Sequence, residues 1–192
     1  MKILILEGIA TSGKTTIKNK LVNVLKKRGL NYSVVEEDKT LMPILSNTDT
    51  DISINHLSRI LKKVLSSKNK DIIIFDRLFF THIFRTKSSL KNFKEIEYLL
   101  SRENTFLAFF KIDKKKISER IFNALKNERA ETPWVDYIKK KGTNKEIVNY
   151  YQKQQDLLLD LLKKTKVRNK VYNTTNLDFE LTSRKILKEL KC

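Results

Sequence analysis

Residues 8–15 read Gly-Ile-Ala-Thr-Ser-Gly-Lys-Thr, a G-x-x-x-x-G-K-[ST] pattern, and this loop constrains the fold more than any other feature of the chain. The apolar run Ile3-Leu4-Ile5-Leu6 precedes it and predicts a short strand over 2–6. A helix is predicted over 15–28, with Ile17, Leu21, Val24 and Leu25 on one face and Gly29 as its C-terminal stop. Glycines allow the backbone to curl so that successive N–H groups converge, and the helix N-terminus adds partial positive charge. Gly8, Ile9, Ala10, Thr11, Ser12, Gly13, Lys14, Thr15 and Thr16 are therefore expected to hold the β- and γ-phosphates of a nucleoside triphosphate, with ATP as the expected donor. Lys14 is placed to reach those phosphates, and the Thr15 hydroxyl to ligate Mg²⁺.

The alternation of strand and helix continues along the chain. Strands are predicted at 32–36, 71–75, 105–112 and 167–172. The run Ile72-Ile73-Ile74-Phe75 reads as a central strand buried on both faces. Helices are predicted at 52–65, 114–127, 145–164 and 179–190, with a further helical region over 79–102 broken near Ser88-Ser89. Pro133 interrupts the segment before the 145–164 helix. The expected fold is α/β: a three-layer sandwich in which a five-stranded parallel sheet carries helices on both faces. One domain over 1–192 is expected, with a lid segment at about 114–135. Ligands in such folds bind at the carboxyl ends of the strands.

Bulk composition restricts the alternatives. With 192 residues and 40% hydrophobic content the chain can build one sizeable core. No apolar run approaches the ~20 residues of a membrane span, and the apolar start is too short for a secretory signal. A cytoplasmic protein without membrane partners is expected. The single cysteine, Cys192, excludes an internal disulfide, and His56 and His82 are too few and too separated for a zinc site. The net charge of +18 suits a nucleic-acid or nucleotide partner, but its lysines are spread over many segments and only nine basic residues are Arg. A general compositional bias accounts for the charge better than a tuned patch does. A small-molecule acceptor is the favoured partner, nucleic acid the weaker one, and a homodimer is compatible with the sequence.

Three further groups of residues carry chemistry. Asp76-Arg77 stands at the carboxyl end of the third strand, where a carboxylate can bind Mg²⁺ or its waters and a guanidinium can bind phosphate. The turn Glu36-Glu37-Asp38 follows the second strand on the same side, and one of these acids can serve as general base for a hydroxyl or fix a sugar hydroxyl. Loop residues 9–12 contain no basic side chain, so added positive charge for a transferring phosphoryl group must come from elsewhere. Arg120, Lys126 and Arg129 in the lid segment are the natural sources. Arg77, Glu37, Phe80 and Arg85 are the candidates for binding the acceptor, and Phe79, Trp134 and Tyr137 are further aromatics able to stack on a base.

Together these residues resemble the P-loop nucleotide and nucleoside kinases, nearest the thymidylate kinase and deoxynucleoside kinase branch. Glu7-Gly8 leading into Ser12-Gly13-Lys14-Thr15-Thr16 is similar to the opening of that branch, and Phe75-Asp76-Arg77 to its D-R motif. The resemblance implies Arg77 at the acceptor's phosphate or reacting hydroxyl, a carboxylate at Glu36 or Glu37, and a lid over 117–129. It implies ATP-dependent phosphoryl transfer to a nucleoside monophosphate or a deoxynucleoside. The turn after the second strand departs from the thymidylate kinase R-E-P-G, reading Glu36-Glu37-Asp38-Lys39-Thr40, and Thr81-His82-Ile83-Phe84-Arg85 follows the D-R pair. The acceptor therefore stays open. A polynucleotide 5′-hydroxyl kinase and a non-kinase NTPase switch are the alternatives, the latter lacking D-x-x-G after the third strand.

Overall fold

The computed structural model describes residues 1–66, 69–126 and 133–191. Its strands are β1 (Lys2–Gly8), β2 (Tyr32–Val35), β3 (Ile72–Asp76), β4 (Thr105–Lys111) and β5 (Asn169–Asn173). All pair in parallel in the order β2-β3-β1-β4-β5, with Leu6 opposite Asp76 and Gly8 opposite Phe110. The helices are α1 (Lys14–Lys27), α2 (Glu37–Thr40), α3 (Thr50–Ser66), α4 (Phe79–Thr86) and α5 (Lys94–Arg102), then α6 (Lys114–Lys126), α7 (Pro133–Lys139), α8 (Asn144–Lys164) and α9 (Phe179–Glu189). The expected α/β architecture, a five-stranded parallel sheet with helices on both sides, is the one observed.

Strand side chains alternate between the faces, so neighbours in β1 enter different cores. Ile3 and Ile5 join Ile73, Phe75, Leu107 and Phe109 under residues of α3, α4, α5 and α8. Leu4 and Leu6 join Ile74 and Phe110 under Ile17, Leu21 and Leu25 of α1 and Ile186 of α9. Each such side chain contributes ~1.5–3 kcal/mol when fully buried, which is why the inner strands read as unbroken apolar runs. A third cluster lies beyond the carboxyl edge of the sheet, where Ile9 and Ile112 pack with Ile117, Ile121, Ile138, Ile147 and Tyr151. It ties the loop after β1 to α6, α7 and α8.

Several boundaries differ from expectation for local reasons. The region 79–102 is two helices with the break expected near Ser88-Ser89, and α4 ends at Lys87 in the left-handed conformation (φ 53°). The acidic turn is itself the short helix α2, and a 3₁₀ turn over Met42–Ile44 follows it. Pro133 begins α7 rather than only interrupting the chain, as proline is well suited to the first helical position. Thr143 and Glu146 form a reciprocal capping box that starts α8. Gln155 of α8 then clasps the end of β4, accepting the Ile112 N–H and donating to its carbonyl, both at 2.8 Å.

Candidate functional site

The first crossover, from β1 to β2, runs opposite to the later ones, so the carboxyl ends of β1 and β4 flank a crevice. The glycine-rich loop fills it. Gly8 sits at φ 149°, and an added Cβ would stand 2.7 Å from the Phe110 carbonyl oxygen and 2.8 Å from Ser12 Oγ. Gly13 sits at φ 91°, and an added Cβ would fall 2.3 Å from the Phe179 ring. Only glycine fits at either place. Gly13 precedes α1, which has no side-chain cap and no acidic residue in its first turn, so its leading N–H groups await an acceptor. Thr11 Oγ1 and Ser12 Oγ are buried without a hydrogen-bond partner among the described residues. Thr174 Oγ1, just after β5, steadies the loop by donating to the Ser12 carbonyl at 2.9 Å.

Lys14 is buried, and its Nζ donates to the carbonyls of Gly8 (3.1 Å) and Ile9 (2.9 Å). Burial, reinforced by the nearby Arg77 guanidinium, pulls its pKa down to about 7 against the pull of Glu37, Asp76 and Glu7. An anion in the loop would reverse that shift. The crevice thus offers unpaired donors around a partly discharged lysine, an arrangement complementary to phosphate oxygens.

Behind the loop lies a cluster of paired charges. Glu7 is fully buried and accepts the Leu78 N–H at 2.9 Å and the Thr81 hydroxyl at 2.8 Å, while burial raises its pKa. Arg77 holds a left-handed backbone (φ 62°) uncommon for a residue with a side chain, kept by its N–H on the Leu6 carbonyl at 3.0 Å. Its Nη1 donates to the Gly8 carbonyl at 2.9 Å, and its Nε faces Glu37 Oε1 at 2.9 Å at an angle short of a hydrogen bond. Burial opposes the charge on Arg77, but Glu37, Glu7 and Asp76 outweigh it and raise its pKa. Lys18, one turn beyond Lys14, is buried against two carboxylates: Asp76 Oδ2 at 2.9 Å, and Glu36. Asp76 Oδ1 remains buried and unpartnered.

This geometry separates the three acids of the turn. Glu36 is tied to Lys18, Glu37 lines the cleft beside Arg77, and Asp38 is exposed. A cleft of about 710 Å³ runs from Lys14, Thr15 and Thr16 past Glu37, Arg77 and Thr81 to Leu41, Met42, Leu45, Trp134, Tyr137 and Tyr150. At its far end the Tyr137 and Tyr150 hydroxyls meet at 2.6 Å, and Trp134 Nε1 donates to the Tyr151 hydroxyl at 3.2 Å. Arg85 lines the cleft, but its guanidinium donates to the Leu45 carbonyl and lies 5.7 Å from the Tyr137 ring centre.

Phe80, expected at the acceptor, does not reach the cleft. It is fully buried in the core, edge-on to Phe79 at 4.7 Å, because consecutive aromatics at the start of α4 both turn under the sheet. Of the lid residues, Arg120 lines the cleft, its Nη2 donating to the Thr174 carbonyl at 3.3 Å and its guanidinium lying 5.9 Å from the Phe179 ring centre. Arg129 lies outside the described residues, so the segment expected as a lid is described only in α6 and α7. Lys18, Thr81, Tyr150 and Gln154 escaped the sequence reading. Only the apolar spacing around Tyr151 and Leu158 could have turned Gln154 inward.

No protein-family model and no curated protein matches the sequence. Among solved structures, the chain is similar to the YorR protein from Bacillus subtilis in complex with phosphorylated GDP. The TM-score is 0.66 at 15% identity, over 99% of this chain and 96% of that one. At that identity the likeness speaks to the fold. Among the described residues no helix is long and apolar enough to cross a membrane.

Proposed function

We propose that the chain is an ATP-dependent phosphotransferase that moves the γ-phosphoryl group to a small acceptor of the nucleoside class. One observation carries the reading. A single cleft joins a loop of unpaired phosphate-type donors around Lys14 to a second chamber walled by aromatic rings, with the Glu37–Arg77 pair between them. An NTPase switch has no need of the second chamber. The fold neighbour's complex with phosphorylated GDP is consistent with a nucleotide in this crevice. The net charge of +18 is spread over many segments and does not by itself favour a polynucleotide end.

In the mechanism, the loop N–H groups and Lys14 hold the donor's phosphates, and transfer is in line, aided mainly by positioning and charge neutralisation. Glu37, beside Arg77, accepts a proton from the attacking hydroxyl, and Arg77 aligns that hydroxyl with the phosphate loop. The carboxylate favours a nucleoside hydroxyl over a nucleoside monophosphate, whose phosphate would compete with Glu37 for Arg77. Thr15 Oγ1 and the unpartnered Asp76 Oδ1 suit a Mg²⁺ ion or its waters, and such an ion would supply neutralisation of the phosphate charge. Among the described residues no three His, Cys, Asp or Glu side chains form a metal site, so phosphate and water oxygens would complete its shell. Arg120 stands at the mouth of the donor side as a further cation.

The test is ADP release with ATP and Mg²⁺ across nucleosides and nucleoside monophosphates, with Lys14→Ala beside the wild type. Turnover with at least one nucleoside, lost in Lys14→Ala, is expected. ADP release that Lys14→Ala leaves unchanged would overturn the assignment.

A further inference from the structure

We propose that Gln154 is the residue that reads the ring edge of the acceptor, making a nucleobase with adjacent hydrogen-bond donor and acceptor groups the preferred substrate class; the inference rests on the kinase reading of the same cleft. Gln154 is only 4% exposed, yet it lines the cleft and makes no hydrogen bond among the described residues. Its amide is not sealed from solvent as the ring nitrogens of His82 are, so it opens on the cleft. The contrast with its neighbour is informative. Gln155 spends both ends of its amide on Ile112, at 2.8 Å each, and so fixes this turn of α8 against β4. A glutamine buried only for packing would satisfy its amide in that way. Gln154, on the same turn of α8, is left with a free donor and acceptor among the described residues.

The surroundings specify what those groups meet. Gln154 lies one helical turn from Tyr150, and the chamber beyond it is lined by Tyr137, Trp134, Leu41, Met42 and Leu45, surfaces suited to a flat ring. A second phosphate is a poor fit there. The chamber's guanidinium, Arg85, already donates to the Leu45 carbonyl and lies over Tyr137. A carboxamide presents one acceptor beside two donors, and it pairs in two places with a base edge that carries the complementary set. Rings lacking that set leave the buried amide unpaired, which is where discrimination comes from.

The experiment measures equilibrium binding of purine and pyrimidine nucleosides by calorimetry to the full chain, in the wild type, Gln154→Leu and Gln154→Glu. ATP binding serves as a check that each variant is folded. The wild type should rank the bases. Gln154→Leu should lose roughly tenfold to hundredfold for the best base and flatten the ranking. Gln154→Glu, an isosteric acceptor without donors, should shift preference towards bases with adjacent donors. In turnover the loss should fall on KM more than on kcat. An unchanged ranking in Gln154→Leu, or a wild type that binds no nucleoside, would overturn the proposal. Ranked nucleoside binding with no phosphoryl transfer would support the base-reading role while removing the kinase reading.

Discussion

His82 offers a sharp test of how this fold is assembled, because it is a buried base with nothing to bind. It is 1% exposed on α4, and neither ring nitrogen has a hydrogen-bond partner among the described residues. Burial, followed by the charges of His56 and Arg85, pulls its pKa from 6.5 down to about 3, against a small opposing effect of the Thr40 backbone. The folded protein therefore keeps His82 neutral where the unfolded chain would protonate it. Between pH 6.5 and about 3 the unfolded state binds more protons, so stability rises with pH there and is lost as pH falls. Integrating the two titrations from about pH 7 to about pH 5 gives a loss of ~2 kcal/mol from this one group. In a chain of this size that is a fall in Tm of about 4–8 °C. His82→Leu removes the titration and two unpaired nitrogens at similar volume. It should be more stable than the wild type by ~1–2 kcal/mol at neutral pH. Urea unfolding at a series of pH values, at constant ionic strength, is the assay. The wild-type and variant curves should diverge as the pH drops below 6.5. Parallel curves through that window would refute the burial argument, because they would mean that His82 is protonated equally in both states.

Three other substitutions probe the site and its supports. Gly13→Ala places a methyl 2.3 Å from the Phe179 ring at φ 91°, so it should cost ~1–3 kcal/mol and abolish measurable ATP binding, read by denaturation and calorimetry. Gln155→Leu leaves both polar groups of Ile112 without their side-chain partners and should destabilise by ~2–4 kcal/mol; a change below about 1 kcal/mol would show that water replaces the clasp. Glu37→Gln should lower kcat for a nucleoside by ~10²-fold or more while leaving ATP affinity nearly unchanged, and undiminished kcat would remove Glu37 as the base.

Much of this was legible in the sequence because the residues concerned are constrained by the backbone itself. Gly8 and Gly13 announce conformations that no side chain tolerates, and the run from Ile72 to Phe75 can only be a strand covered on both faces. Asp76-Arg77 was found because it stands at the end of that strand. What stayed hidden depends on which way a side chain turns. Phe80 reads as an aromatic near the motif able to bind the acceptor until the direction of α4 places it beneath the sheet. Lys18 looks like one lysine among many, since no pattern distinguishes a basic residue that caps two distant carboxylates from one in solvent. Glu36 and Glu37 are equivalent by position, and only the turn of α2 sends one to Lys18 and the other to Arg77.

The charge of the surface and the charge of the site have different origins. The chain carries +18, yet around the phosphate loop four carboxylates (Glu7, Glu36, Glu37 and Asp76) face three cations (Lys14, Lys18 and Arg77). Burial raises the pKa of Glu7, and the Leu78 N–H, Arg77, Thr81 and Lys14 oppose that rise. A site so balanced has no surplus positive charge for a triphosphate, and residues 9–12 add none. On the proposed reading, the loop's attraction for phosphate must then come from oriented N–H groups and hydroxyls, whose donors are fixed before the ligand arrives. Any further cation has to come with the ligand or from across the cleft, where Arg120 keeps a buried Nε without a partner. Lys18 is the residue that makes this balance workable. By holding Asp76 Oδ2 and Glu36 together it offsets their repulsion, and it leaves Asp76 Oδ1 buried without a partner among the described residues.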